Sequence, residues 1–168
     1  MKALILGGVK SGKSRYAEAI VSAISSHVTY IATATALDSG MGKRIARHRA
    51  DRPMDWVTLE EPVRLGRAIE ASTESDVILV DCLTLWLTNL LLKEDEELLS
   101  KEIAAFEEAV VNCQIPLVMV SNETNMGVVP LGELSRRFCD EAGLLHQRLA
   151  RVCDRVELIV AGLSTKLK

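Results

Sequence analysis

Short continuous apolar runs alternate along the chain with longer segments whose apolar residues recur at helical spacing. Lys2 to Leu6 predicts a buried strand, and Ser14 to Ile24 a helix with Ala17, Ile20, Val21 and Ile24 on one face. Val28 to Thr33 predicts a second strand. Asp38 to Asp51 is a polar, basic helix candidate, stopped near Pro53 because a proline restricts the residue before it. Trp56 to Leu59 predicts a short strand, and Pro62 to Ser72 a helix with Leu65, Ala68 and Ile69 inward. Val77 to Cys82 has the unbroken apolar character of a central parallel strand and ends in an acid and a thiol. Thr84 to Leu92 predicts a helix, and Glu94 to Glu97 a loop or helix start. Leu99, Ile103, Phe106 and Val110 fall at helical spacing. Ile115 to Ser121 predicts another buried strand, with Pro116 confined to its beginning. Leu134, Phe138, Ala142, Leu145, Leu149 and Val152 form one long amphipathic stripe, and Val156 to Ala161 closes the sheet.

Strands alternating with helices predict an α/β fold, a mostly parallel sheet with helices on both faces. Ligands of such sheets bind beyond the carboxyl ends of the strands. Those ends carry Gly7 to Ser14, Thr33 to Thr35, Asp81-Cys82 and Ser121 to Glu123, which are expected to converge on one cleft. With no repeat, low-complexity segment or linker, residues 1–168 read as a single domain.

Composition narrows the class without naming a function. A net charge of −3 argues against nucleic-acid binding through a global positive field. No apolar run reaches the length of a membrane span; Leu83 to Leu92 is broken by Thr84, Thr88 and Asn89. Cys82, Cys113, Cys139 and Cys153 form no C-x-x-C pair or zinc-like spacing, and reduced thiols in a cytoplasmic protein are expected.

The chemistry starts at the end of the first strand. Gly7-Gly8-Val9-Lys10-Ser11-Gly12-Lys13-Ser14 fits the phosphate-loop pattern G-x-x-x-x-G-K-[ST] between a predicted strand and helix. Its glycines let backbone N–H groups turn toward phosphate oxygens, and the helix N-terminus adds positive potential. Lys13 supplies a cation for the β- and γ-phosphates, and Ser14 a hydroxyl for Mg²⁺. This context predicts a nucleotide-binding protein with a three-layer P-loop NTPase fold. Asp81 stands where such proteins place the acid that organises Mg²⁺, directly or through water; the alternative is an acid capping the next helix. Arg44, His48 and Arg52 recur four apart, so one helix face would set an imidazole between two guanidiniums. That arrangement suits triphosphate oxygens and keeps the imidazole neutral, as a nucleophile requires. By spacing alone, a solvated basic face with an incidental histidine is the stronger reading.

Ordered blocks along the chain carry more than any one motif. They are G-G-x-x-S-G-K-S-R-x-A-E, Y-I-A-T, R-I-x-x-H-x-x-x-R-P-x-x-W-x-T-x-E, D-C-L-T-L-W-L-T-N-L-L, S-N-E-x-x-x-G-V-V-P and F-x-D-x-x-G-x-x-x-Q-x-L-A. In register from Leu4 to Lys168, they resemble the bifunctional adenosylcobinamide kinase / adenosylcobinamide-phosphate guanylyltransferase family of cobalamin biosynthesis. The resemblance implies a RecA-like fold, a corrinoid substrate and a homotrimer. It also implies two reactions: phosphorylation of the aminopropanol hydroxyl of adenosylcobinamide by ATP or GTP, then GMP transfer from GTP to that phosphate through a guanylylated histidine. The catalytic residues it implies are His48 and Lys13. Nucleotide contacts carry over to Gly7 through Ser14, and to Thr33, Ala34, Thr35, Arg49, Ala50, Asp51, Arg52, Glu60 and Asp81. The chain departs from the family pattern at Gly40, Asn125, Cys139 and His146, and is short over Lys93 to Glu97; His146 reads as a helix-surface or packing residue.

Three rivals remain at this stage. A monofunctional small-molecule kinase would use the same loop without needing His48. A GTPase switch is disfavoured because N-K-x-D is missing and the D-x-x-G match, Asp140 to Gly143, lies inside an amphipathic helix. A non-catalytic nucleotide-binding subunit would have no use for Lys13, Ser14 and Asp81 together.

Overall fold

In every long strand, successive side chains are buried on opposite faces of the sheet, as period-two geometry requires when both faces are covered. A computed structural model describes residues 1–35, 53 and 55–168. Within them the order is β1 (Lys2–Gly7), α1 (Lys13–Ile24), β2 (Val28–Ala32), β3 (Val57–Glu60), α2 (Leu65–Ala71), β4 (Val77–Asp81), α3 (Leu83–Leu91), α4 (Glu96–Asn112), β5 (Leu117–Asn122), α5 (Glu133–Val152), β6 (Arg155–Val160) and β7 (Leu163–Lys166). The expected helix Asp38 to Asp51 lies outside the described residues.

The strands form one sheet in the order β3-β2-β4-β5-β1-β6-β7, parallel except for β7, which runs antiparallel to β6. One face gathers Ala3, Ile5, Tyr30, Leu79, Val118 and Val120 against Ala17 and Val21 of α1. The other gathers Leu4, Leu6, Ile31, Ile78, Val80 and Met119 against α2, α3, α4 and α5, with Trp86 and Phe106 in contact at 4.9 Å between ring centroids. The Trp86 indole N–H donates to the Val63 carbonyl at 2.7 Å, so burying the ring leaves no orphan donor.

Local signals explain the element ends. Asp95 caps α4 by accepting the Leu98 N–H, and Glu96 and Glu97 complement the helix dipole in the first turn. Three expectations are corrected. Leu134 and Val152, at the two ends of the amphipathic stripe, are exposed. A helix of 20 residues spans roughly 30 Å, and a strand of 6 residues about 20 Å, so α5 overhangs the sheet at both ends. Ile24, the last residue of α1, is likewise exposed at 41%. The sheet does not close at Ala161: Ala161 (φ 51°) and Gly162 (φ 80°) turn the chain into β7.

Gly66 marks where α2 and α4 touch. A Cβ there would lie 2.6 Å from the Ala105 carbonyl oxygen, a backbone atom with no rotamer to yield. Gly66→Ala is expected to lower the unfolding free energy by about 1–3 kcal/mol in urea titration. Gly127→Ala, where a Cβ meets nothing within 4 Å, should stay within about 0.5 kcal/mol of the parent.

Candidate functional site

The phosphate loop is shaped by positions that tolerate no side chain. Gly7 ends β1, and a Cβ there would sit 2.5 Å from Ser11 Oγ and 2.6 Å from the Ile159 carbonyl oxygen. Gly12 has φ 98° and faces Gly162 Cα, which a Cβ would approach to 3.3 Å. Lys10 also adopts a left-handed backbone at φ 57°. The Ser11 N–H donates to the Gly8 carbonyl at 3.2 Å, and the Gly162 N–H to the Ser11 carbonyl at 2.8 Å. The turn between β6 and β7 therefore buttresses the loop from behind. Gly8, Val9 and Lys10 are exposed at its tip, while Lys13 is buried at the first turn of α1 with Nζ donating to the Gly8 carbonyl at 3.1 Å. Ser11 Oγ is a buried hydroxyl without a hydrogen-bond partner among the described residues.

The ends of β2, β4 and β5 lie at the same edge of the parallel sheet as the loop, and the residue after β5 touches it. Thr33, fully buried beyond β2, donates through Oγ1 to the Cys82 carbonyl at 2.6 Å and accepts the Cys82 N–H at 2.9 Å. Thr35 Oγ1 donates to Asn89 Oδ1 at 3.0 Å, and Asn89 Nδ2 donates to the Thr33 carbonyl at 2.8 Å and the Pro62 carbonyl at 3.1 Å. Ala34 lies between, half-buried. Glu60 ends β3, in register with Ala32, and is exposed. The Asn122 N–H donates to Thr84 Oγ1 at 2.7 Å, and the Glu123 N–H to the Gly7 carbonyl at 3.0 Å. His48, Arg49, Ala50, Asp51 and Arg52 lie outside the described residues. Asn89 and Thr84 were not singled out from the sequence, although both sit in the D-C-L-T-L-W-L-T-N-L-L block.

Asp81 ends β4, with β5 between it and β1. Tyr30 Oη donates to its Oδ2 at 2.8 Å, orienting the carboxylate, while Oδ1 makes no hydrogen bond among the described residues. Helix α1 packs on β4 and β5, carrying Lys13 and Ser14 back toward Asp81. Cys82 registers this convergence: burial first, then the Asp81 charge, push its thiol up to about 11, and Lys13 pulls weakly the other way. A thiol so raised is not a nucleophile at neutral pH. For a divalent cation the available donors are the Ser14 hydroxyl and Asp81 Oδ1. Both are hard oxygens, and no group of three His, Cys, Asp or Glu side chains is poised for a metal among the described residues. That sparse set fits Mg²⁺, which keeps waters and takes substrate phosphates as further ligands.

His146 is a packing residue and lies inside the core rather than on the stripe's flank. It is buried, with Nε2 2.8 Å from Ser121 Oγ, so it joins α5 to the end of β5. At Asn125, another departure from the family pattern, the side chain fills the space left by Gly143 and donates to the Cys139 carbonyl at 3.0 Å.

No helix among the described residues is long and apolar enough to cross a membrane. A family model for cobinamide kinase / cobinamide phosphate guanyltransferase matches residues 3–167. The chain is 54% identical over 169 residues to the bifunctional adenosylcobalamin biosynthesis protein CobP of Pseudomonas aeruginosa, covering 100% of this chain and 98% of that protein. It is 38% identical over 182 residues to the bifunctional adenosylcobalamin biosynthesis protein CobU of Escherichia coli, covering 100% of both. A solved structure of a prototypical ATPase from the type III secretion system of pathogenic bacteria superposes with a TM-score of 0.57 at 11% identity. The match takes in 98% of this chain and 56% of that one, so the chain spans little more than half of the ATPase; the likeness is one of fold.

Burial, opposed by the nearby Glu123 charge, lowers the His146 pKa below its ordinary value of 6.5. Above that value both folded and unfolded chains hold a neutral imidazole, and the group costs nothing. As pH falls through 6.5 the unfolded chain takes up the proton first, so stability is lost on acidification until the folded pKa is passed. Urea midpoints measured between about pH 7 and pH 5 are expected to fall, with a shallower slope in His146→Gln.

Proposed function

Because the chain belongs to the cobinamide kinase / cobinamide phosphate guanyltransferase family, we propose that one cleft, built on Gly7–Ser14 and the ends of β2, β4 and β5, carries both reactions. The enzyme phosphorylates adenosylcobinamide with ATP or GTP, then transfers GMP from GTP to adenosylcobinamide phosphate, releasing pyrophosphate. The observation that carries this reading is the meeting of the phosphate loop with the Asp81 strand end in a chain matched from end to end. The cleft belongs to a single catalytic domain spanning 1–168.

The residues divide the work by the charge each can offer. Backbone N–H groups of Gly8 to Ser14 and the Lys13 ammonium hold the β- and γ-phosphates and stabilise the charge that develops there. Mg²⁺, held by Ser14 and Asp81 directly or through water, would neutralise charge across the phosphate chain. Asn89 fixes the Thr33–Thr35 segment beside the nucleotide, and Glu60 and Arg49–Arg52 complete its contacts. In the kinase step the aminopropanol hydroxyl attacks the γ-phosphorus. In the transfer step His48, neutral between Arg44 and Arg52, attacks the α-phosphorus of GTP and pyrophosphate leaves. The corrinoid phosphate then attacks the histidine-bound phosphorus and frees the imidazole. Splitting the transfer in two removes the need to align two large anions for direct displacement.

Assembly as a homotrimer is part of the same reading. Met126, Val128, Val129 and Leu131, between β5 and α5, are 71% to 97% exposed and supply apolar surface for a subunit contact. Localisation in the cytoplasm agrees with nucleotide and corrinoid substrates.

Incubated with α-labelled GTP and Mg²⁺, the protein is expected to retain label in an acid-labile, base-stable linkage. His48→Ala should lose the label yet still phosphorylate adenosylcobinamide. A wild-type chain that acquires no label overturns the histidine intermediate. Lys13→Ala is expected to slow both reactions by about 10²–10³-fold, the usual cost of one group stabilising developing charge.

A further inference from the structure

The end of β5 carries an acid that the reading above leaves without a task. Glu123 follows Ser121 and Asn122 in the middle of the strand order, with β1 and its loop on one side and β4 with Asp81 on the other. Neighbouring strands stand about 4.8 Å apart, so Glu123 lies one strand from each. Its N–H donates to the Gly7 carbonyl at 3.0 Å, tying it to the first residue of the phosphate loop. Behind it, the Ser121–His146 contact holds the strand end against α5. The side chain is half-buried. Oε1 accepts the Asn125 N–H at 2.6 Å, and Oε2 makes no hydrogen bond among the described residues. Beyond Asn125 a cavity of about 370 Å³ opens, lined by Asn125, Cys139, Asp140, Gly143, Leu144 and Gln147.

The three nucleophiles of the two reactions differ in one respect. The His48 imidazole attacks through a lone pair, and the corrinoid phosphate through an oxygen that is already anionic. The aminopropanol hydroxyl alone must lose a proton, and it needs a base within reach. The other acids at the ends of β3 and β4 are committed or remote. Asp81 accepts from Tyr30 and is assigned to the divalent cation in the reading above; Glu61 Oε1 accepts the N–H groups of Val63 and Arg64; Glu60 ends the edge strand β3, with β2 and β4 between it and β5.

We propose that Glu123 takes the proton of the acceptor hydroxyl in the kinase half-reaction, an inference that rests on the function proposed above. The hydroxyl O–H breaks toward the Glu123 carboxylate as the oxygen bonds to the γ-phosphorus. The bond between that phosphorus and the β,γ-bridging oxygen breaks, and the nucleoside diphosphate leaves with the bond's electron pair. Glu123 then returns its proton to solvent.

The test compares the two reactions in the full-length protein: phosphorylation of adenosylcobinamide by ATP, and GMP transfer from GTP to separately prepared adenosylcobinamide phosphate. Glu123→Gln keeps an oxygen for the Asn125 N–H, so the turn is preserved while the base is lost. The kinase kcat is expected to fall by about 10²–10⁴-fold with KM values changed by less than about threefold, and the ratio of kinase to transfer rate to collapse accordingly. Glu123→Asp should recover part of the kinase rate. A Glu123→Gln enzyme whose kinase kcat stays within about threefold of wild type overturns the proposal. So does a parallel loss of both activities, which would make Glu123 a support for the loop. A wild-type chain with neither activity takes down the function reading and this inference together, a result separable from the others.

Discussion

Parallel strands buried on both faces leave polar chemistry one place to go. In β1, β2, β4 and β5 the interior side chains are almost wholly enclosed between α1 and the four helices opposite, and a charge there would have no water and no partner. Each crossover returns the chain to the same end of the sheet, so β1, β2, β4 and β5 all finish at one edge. Lys13, Thr33 and Ser121 are buried polar residues, and each sits at that edge with a hydrogen-bond partner. The cleft follows from the sheet, and the loop's place in the cleft follows from β1 lying beside β5.

The edge is held by backbone contacts more than by side-chain pairs. Gly7 and Gly12 let the loop close onto Ser11, Ile159 and Gly162 at distances that a Cβ would forbid. The turn that starts β7 thus has a purpose at the site, although β7 itself adds no buried residue. Across the cleft, Thr33 joins the end of β2 to Cys82 at the start of α3, Asn89 near the other end of α3 holds the Thr33 carbonyl, and Thr84 joins α3 to the end of β5. A phosphate-binding loop must hold its N–H groups in place before the charge arrives, and these bonds make its surroundings rigid.

Much of this was legible in the chain itself. The run Lys2 to Leu6, the loop after it and the helix after that are local patterns, and the structure reproduces them to within a residue. Asp81 was legible for the same reason, as an acid ending an unbroken apolar run. Reading failed where burial depends on how long an element is compared with what it packs on: Leu134 and Val152 fit the helical period yet overhang the sheet, and Ile24, the last residue of α1, is exposed as well. It also missed β7, whose residues are exposed on both faces and leave no hydrophobic signature. His146 fits the stripe's flank by period, but the partner that draws it inward, Ser121, stands 25 residues earlier.

The sequence by itself determined the fold class and the phosphate loop, which rest on residue types at fixed short spacing, and the family with its two reactions, which the blocks in order along the whole chain imply by resemblance. Tertiary structure decided which residues from distant blocks share the edge. Gly162 stands behind Gly12, Asn125 fills the space of Gly143, and Glu123 is set between the loop and Asp81. These juxtapositions depend on β5 pairing with β1 on one side and β4 on the other. Spacing along a chain records what a helix or strand does to its neighbours; the order of strands in a sheet is settled only when the buried faces are packed together.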